Sequence, residues 1–193
     1  MTSLLDFFQR IDQQLFLFLN VEISNSFFDL IMPFITEKQN WYLLIGIIAI
    51  LLFWKGGIKG RIVVLTLIVS LIISDQTSSS IVKPMIGRLR PCKTLENFRL
   101  LIECGSGYSF PSSHAVNIAT AAGIFIYNYK RFSVLWITMA VLVGYSRIYV
   151  GVHYPFDVFG GFILGSGIAL IFMVVSGRIE ARFEKFNKSS PST

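Results

Sequence analysis

Long apolar stretches separated by short polar breaks run through most of the chain. Residues 41–54 hold no charged side chain and are bracketed by Trp41 and Trp54; residues 62–73, 115–129, 133–149 and 158–175 follow as further apolar runs. None alternates with period two, so strands are not expected. A helix satisfies its own backbone in lipid and needs about 20 apolar residues to cross. The pattern predicts an all-α, polytopic transmembrane helical bundle with five firm spans. Ahead of them, residues 4–20 mix Leu4, Leu5, Phe7, Phe8, Ile11, Leu15 and Phe16 with Asp6, Arg10, Asp12 and Gln13, the pattern of an amphipathic interfacial helix. Residues 27–35 form a further apolar run, interrupted by Asp29 and Pro33 and too short to cross alone; a sixth span needs this region. The chain reads as a single domain, 1–193, with residues 1–40 as its amphipathic N-terminal region and 178–193 as a polar tail, its last residues frayed.

Composition agrees with burial in lipid: 53% of residues are hydrophobic, 15% are charged, 18 are Phe, and the mean hydropathy is +0.64. The net charge of +6 does not point to nucleic acid, because the basic residues close apolar runs instead of forming a patch mixed with aromatics. No cleavable signal peptide is expected, since Met1-Thr2-Ser3 lacks a basic stretch and Asp6, Arg10 and Asp12 interrupt the first apolar positions. Lys55, Lys59, Arg61, Lys130, Arg131, Arg178, Arg182, Lys185 and Lys188 collect on one side of the predicted bundle. Once cations with a chemical role are set aside, they outnumber those opposite, which predicts a cytoplasmic C-terminus.

Within this frame the polar breaks carry information. Ser74-Asp75-Gln76-Thr77-Ser78-Ser79-Ser80 can pass through a membrane only facing the bundle interior or a wet cavity, so Asp75 is expected as a buried packing partner or a cavity residue. Ala115, Ala119 and Gly123, and the pair Gly161 and Gly165, offer smooth faces for close helix contact. Cys92 and Cys104 fall in one loop on the extracytoplasmic side, where they either bridge or remain free thiols.

Three polar segments end up on that same side: Lys83 with Arg90-Pro91, Pro111-Ser112-Ser113-His114, and Arg147 with His153 and Asp157. Together they describe a phosphate site. Lys83, Arg90 and Arg147 supply cationic donors, and arginine's fork suits an oxyanion. Ser112 and Ser113 precede an apolar helix whose first amides are free to point at an anion. His153, with Asp157 four residues on to hold its tautomer, is equipped as a nucleophile, and His114 is placed to protonate the leaving oxygen. The scheme needs no metal and no cofactor, because three cations would repel an added metal ion.

These residues also carry a resemblance. Lys83, six residues, Arg90-Pro91; Pro111-Ser112-Ser113-His114; and Ser146-Arg147, five residues, His153, three residues, Asp157 resemble the three-part signature of the type 2 phosphatidic acid phosphatase superfamily, membrane lipid phosphatases related to vanadium haloperoxidases. The resemblance implies that Lys83, Arg90, Ser112 and Arg147 bind phosphate, that His153 becomes phosphorylated with Asp157 in support, and that His114 is the acid. One departure is Ser113, where the family more often has glycine. Such a glycine lets a backbone amide approach phosphate closely, so Ser113 must fit the same conformation or add its hydroxyl to the phosphate-binding set.

The resulting expectation is an integral membrane phosphatase of a bacterial plasma membrane, acting on a lipid phosphate at the extracytoplasmic face, with membrane lipids as its other partners. Undecaprenyl diphosphate is the first substrate implied by the resemblance; phosphatidylglycerol phosphate, phosphatidic acid and lipid A phosphate are alternatives. An anion transporter or channel would instead spread charge along the depth of several helices, whereas Asp75 is the one acid inside a firm run. A haloperoxidase would be soluble.

Overall fold

The computed structural model describes residues 4–189, so the expected frayed end at residues 190–193 lies outside the described residues. Helices carry the fold, and no strand occurs among the described residues. Helix α1, Leu4–Leu17, turns Asp12 and Phe16, one helical turn apart, into the protein, and leaves Leu4, Leu5, Phe7 and Phe8 exposed. It runs into a π-helical turn, Phe18–Glu22, that buries Asn20. The chain then bends by 116° into α2, Ser26–Thr36, whose N-cap Asn25 accepts a bond from the Phe28 amide at 3.0 Å.

Helix α3, Gln39–Lys55, is apolar all round and buries none of its side chains. Its start is tied back to α2, where Asn40 Nδ2 donates to the Phe34 carbonyl and Trp41 Nε1 to that of Ile35, both at 3.0 Å. A tight turn at Gly56 and Gly57 leads into α4, Gly57–Gln76. Thr77–Val82 continues as a π-helical turn, and Lys83–Ile86 forms the short α5, ended by Gly87 in the left-handed conformation (φ 64°).

The polar run at the end of α4 faces its match. Helix α7, Ser113–Asn128, presents Thr120 to Ser74 (2.8 Å), Asn117 to Asp75 (3.2 Å) and Ser113 to Ser78 (2.9 Å). Asp75 is thus a half-buried packing partner, its carboxylate accepting from Asn117. Short α6, Pro91–Thr94, lies in the connection before α7, where Cys92 and Cys104 form a disulfide with Cα atoms 6.1 Å apart. Closing a loop of this size stabilises by about 3 kcal/mol on the chain-entropy view.

At the centre, α7 packs against α9, Pro155–Ser189, and α8, Ser133–Tyr149, flanks the pair. The small residues meet as their spacing requires. A Cβ on Gly161 would lie 2.7 Å from that of Ala115, one on Gly165 2.9 Å from Ala119, and one on Gly123 2.7 Å from Ala169. Helix α9 continues well past the apolar run that predicted it. The following residues, Arg178 to Lys185, are good helix formers that need no burial to stay helical.

By length and composition, Gly57–Thr94, Lys130–Tyr149 and Pro155–Phe183 can each cross a membrane, and the bent pair of α1 and α2 makes a fourth if it counts as one span. Helix α3, with 17 residues, and α7, with 16, are about 25 Å long, short of a hydrocarbon core of about 30 Å. Helix length therefore accounts for three or four spans rather than the five or six expected.

Candidate active site

Six chain segments converge at one end of the bundle. The start of α9 supplies Asp157, the turn between α8 and α9 supplies His153, and the last turn of α8 supplies Arg147. The start of α7 brings Ser112, Ser113 and His114; α5 and the loop after it bring Lys83 and Arg90. The turn of residues 150–154 is held rigidly. Gly151 has φ 90°, and its α-carbon faces the Arg99 carbonyl so closely that a Cβ would collide with it. Asn20 closes the other side of that turn. Its Nδ2 donates to the carbonyls of Tyr149 (2.7 Å) and Arg99 (2.9 Å), and its Oδ1 accepts from the Arg99 amide (2.8 Å).

His153 is 2% exposed and Asp157 fully buried. The Nδ1 edge of the imidazole faces Asp157 Oδ2 at 3.5 Å and Ser109 Oγ at 3.4 Å. Burial pulls the His153 pKa down to about 3 against an ordinary value of 6.5, with the Arg147 charge acting in the same direction and Asp157 opposing it. The ring is therefore neutral at physiological pH. Asp157 is saturated with donors: Oδ2 accepts from the Ser109 hydroxyl and from the Tyr154 amide (2.8 Å), and Oδ1 accepts from Arg88 (2.8 Å).

The cations around His153 are arranged differently. Lys83 Nζ, 8% exposed, donates to the Tyr108 carbonyl at 2.8 Å; Arg90 Nε donates to that of Gly107 at 2.9 Å; Arg147 Nη1, 7% exposed, donates to the Thr36 hydroxyl. Among the described residues, none of the three has a carboxylate within ion-pair distance. Arg147 Nε and Ser112 Oγ are both buried without any hydrogen-bond partner. The Ser112 amide is already engaged, donating to the Asp157 carbonyl at 2.9 Å, and Ser113 Oγ accepts from Ser78, so the second serine faces α4. His114 opens α7 within electrostatic reach of Arg147, Lys38 and His153, beside the backbone of Thr36. Burying Lys83 and Arg147 unpaired, with half-buried Arg90 beside them and two idle donors, is unfavourable unless an anion arrives to meet them. Among the described residues no group of three or more His, Cys, Asp or Glu is arranged to hold a metal ion.

Every residue singled out from the sequence lies at this end of the bundle, with Ser113 turned to the α4 interface. Arg88, Ser109 and Thr36 also touch these residues, and Asp12 touches Arg88, although the sequence pattern does not single them out as site residues. Arg88 lies between Lys83 and Arg90, and that position was its one visible signal. Ser109 and Thr36 carry no charge, and Asp12 belongs to a helix read as interfacial.

Comparison with known proteins identifies the family. The PAP2 superfamily profile matches residues 60–180. The lipid A 4'-phosphatase of Bacteroides thetaiotaomicron is 29% identical over 94% of this chain and 84% of its own, and the undecaprenyl-diphosphatase of Sulfolobus acidocaldarius 35% identical over 73% and 67%. Among solved structures, the PAP2-type phosphatidylglycerolphosphate phosphatase of Bacillus subtilis superposes with a TM-score of 0.69 at 26% identity, covering 90% of this chain and 88% of that one. Aquifex aeolicus LpxE shares the fold, with a TM-score of 0.66. With the family profile spanning more than half of the sequence, this helical bundle belongs to the PAP2 superfamily, and the protein is an integral membrane lipid phosphatase of that family.

Proposed function

We propose that the protein removes a phosphate from a lipid diphosphate, with undecaprenyl diphosphate as first substrate, through a phosphohistidine at His153. The observation that carries this reading is the set of unpaired cations, Lys83, Arg90 and Arg147, together with the unpartnered Ser112 Oγ, around a neutral imidazole whose Nδ1 edge faces a carboxylate. Asp157 and Ser109 hold the proton on Nδ1, which leaves the Nε2 lone pair for phosphorus. As the Nε2–P bond forms, the P–O bond to the leaving group breaks; His114, which burial and the charges of Arg147 and Lys38 hold neutral in the free protein, takes up a proton once the bound phosphate offsets those charges and gives it to the departing oxygen. Water then attacks the phosphohistidine, His114 takes a proton from it, and inorganic phosphate leaves. The cations act by stabilising charge on the oxygens in flight, and no metal ion takes part.

A diphosphate is favoured over a monophosphate by Lys38, a further cation within reach of His114 on the leaving-group side. There the leaving group of a diphosphate is itself an anion. Lipid A phosphate, phosphatidylglycerol phosphate and phosphatidic acid are the competing substrates. The active site belongs on the extracytoplasmic face of a bacterial plasma membrane, with the C-terminus in the cytoplasm.

The test is phosphate release by purified protein in detergent, with a chelator present, from a panel of these lipids. Undecaprenyl diphosphate should give the highest kcat/KM. His153→Ala should lose at least about 10³-fold and His114→Ala about 10²–10⁴-fold. A wild-type protein that releases nothing, or an unimpaired His153→Ala, ends the phosphohistidine reading.

A further inference from the structure

Arg88 and Asp12 have no place in the reaction just described, yet they form a continuous ion network with Asp157. Arg88 Nη1 donates to Asp157 Oδ1 at 2.8 Å and Nη2 to Asp12 Oδ2 at 2.6 Å, while the guanidinium lies 4.2 Å over the Tyr154 ring. Asp12 is fully buried, and its second oxygen accepts from the Phe156 amide at 2.8 Å, in the first turn of α9. One carboxylate from α1 therefore grips both the guanidinium that holds Asp157 and the helix turn that carries Asp157.

We propose that Asp12 and Arg88 are positioning residues for the Asp157–His153 pair, so that the N-terminal helix α1 sets the aim of the attacking imidazole. This rests on the reading of His153 as nucleophile. The reasoning is geometric. His153 touches Asp157 at 3.5 Å only, a contact too long to orient the ring unless the carboxylate is itself fixed. Oδ2 is fixed by Ser109 and the Tyr154 amide; Oδ1 has Arg88 alone. Arg88 in turn rests on the Tyr154 ring, a contact that lets it rotate in the ring plane, and its other nitrogen is pinned by Asp12. Outer groups of this kind orient inner ones and are felt in rate when removed.

Two conservative variants probe the network. In Asp12→Asn the charge is lost and one of the two oxygens becomes an NH2 group, so either Arg88 or the Phe156 amide meets a donor where it had an acceptor. In Arg88→Lys the charge stays but the fork that spans two carboxylates is lost. Two titrations on detergent-purified protein separate positioning from collapse. Orthovanadate takes the five-coordinate geometry of phosphoryl transfer and needs an aimed imidazole, whereas inorganic phosphate needs only the cations. Each variant should bind orthovanadate about tenfold more weakly and lose kcat to a similar degree, with phosphate affinity and KM within about twofold of wild type. If both anions weaken together, or neither does, the inference is wrong. Should the wild type fail to hydrolyse any lipid, the phosphohistidine reading falls while the comparison of the two anions still decides whether Asp12 and Arg88 aim His153.

Discussion

His153 is gripped at its Nδ1 edge and surrounded elsewhere by groups that await a ligand, and that asymmetry governs what single substitutions do. Its neutrality has a consequence for stability. An unfolded chain protonates this histidine below its ordinary pKa of 6.5, whereas the folded protein resists protonation until about 3. The unfolded state therefore binds more protons between those values, so stability falls as pH drops from about 6.5 towards about 3. Thermal melts across that window should show His153→Gln losing less stability with acidification than wild type. At the same scale, the roles of Lys83, Arg90, His114, Arg147, His153 and Asp157 could be proposed from the sequence because ionisable groups in an apolar chain stand out, and that of Ser112 because it sits next to His114 at the start of an apolar helix. Ser109 and Thr36 could not, since an uncharged hydroxyl looks the same in a site as in any loop, and only proximity to Asp157 and Arg147 distinguishes them. Arg88 was hidden by company, as one more cation beside Lys83 and Arg90.

The elements were legible wherever the apolar run was long. Helices α3, α4, α7, α8 and α9 lie on the runs that predicted them, and the small residues of α7 and α9 meet as expected. Ends and faces were harder. The polar surface of α1 was read as facing water, yet Asp12 points inward, because its partners Arg88 and Phe156 lie far along the chain. The α7–α9 contact also yields a prediction. A Cβ on Gly165 would collide with the Val116 carbonyl and come within 2.9 Å of Ala119 Cβ, so Gly165→Leu should cost about 1–3 kcal/mol by overpacking, lowering the melting temperature in detergent. Gly167→Leu, with open space around its Cβ position, should leave it nearly unchanged.

For the whole molecule, orientation is the property that decides biological role. With the site and the Cys92–Cys104 bridge on the same side, reduction followed by an impermeant thiol reagent should label both cysteines in intact cells. Labelling only after the membrane is opened would place the site in the cytoplasm instead. The number of crossings was the least legible feature. Two of the predicted spans fold as helices of 17 and 16 residues, and a sequence window measures apolarity better than it measures helix length.

Among the described residues, Lys83, Arg90 and Arg147 have no carboxylate within ion-pair distance to compete with the substrate, and this shapes the late part of the catalytic cycle. The last species to leave is inorganic phosphate, which carries the same oxygens that those three cations recognise. Turnover should thus be self-limiting, with phosphate a competitive inhibitor and its departure the slow step at saturating lipid. Rapid mixing should then show a burst of dephosphorylated lipid before the steady rate, and added phosphate should raise the apparent KM for lipid while kcat holds, with salt moving both little because buried charges are poorly screened. An enzyme whose cations were already paired would show neither the burst nor the rise in KM.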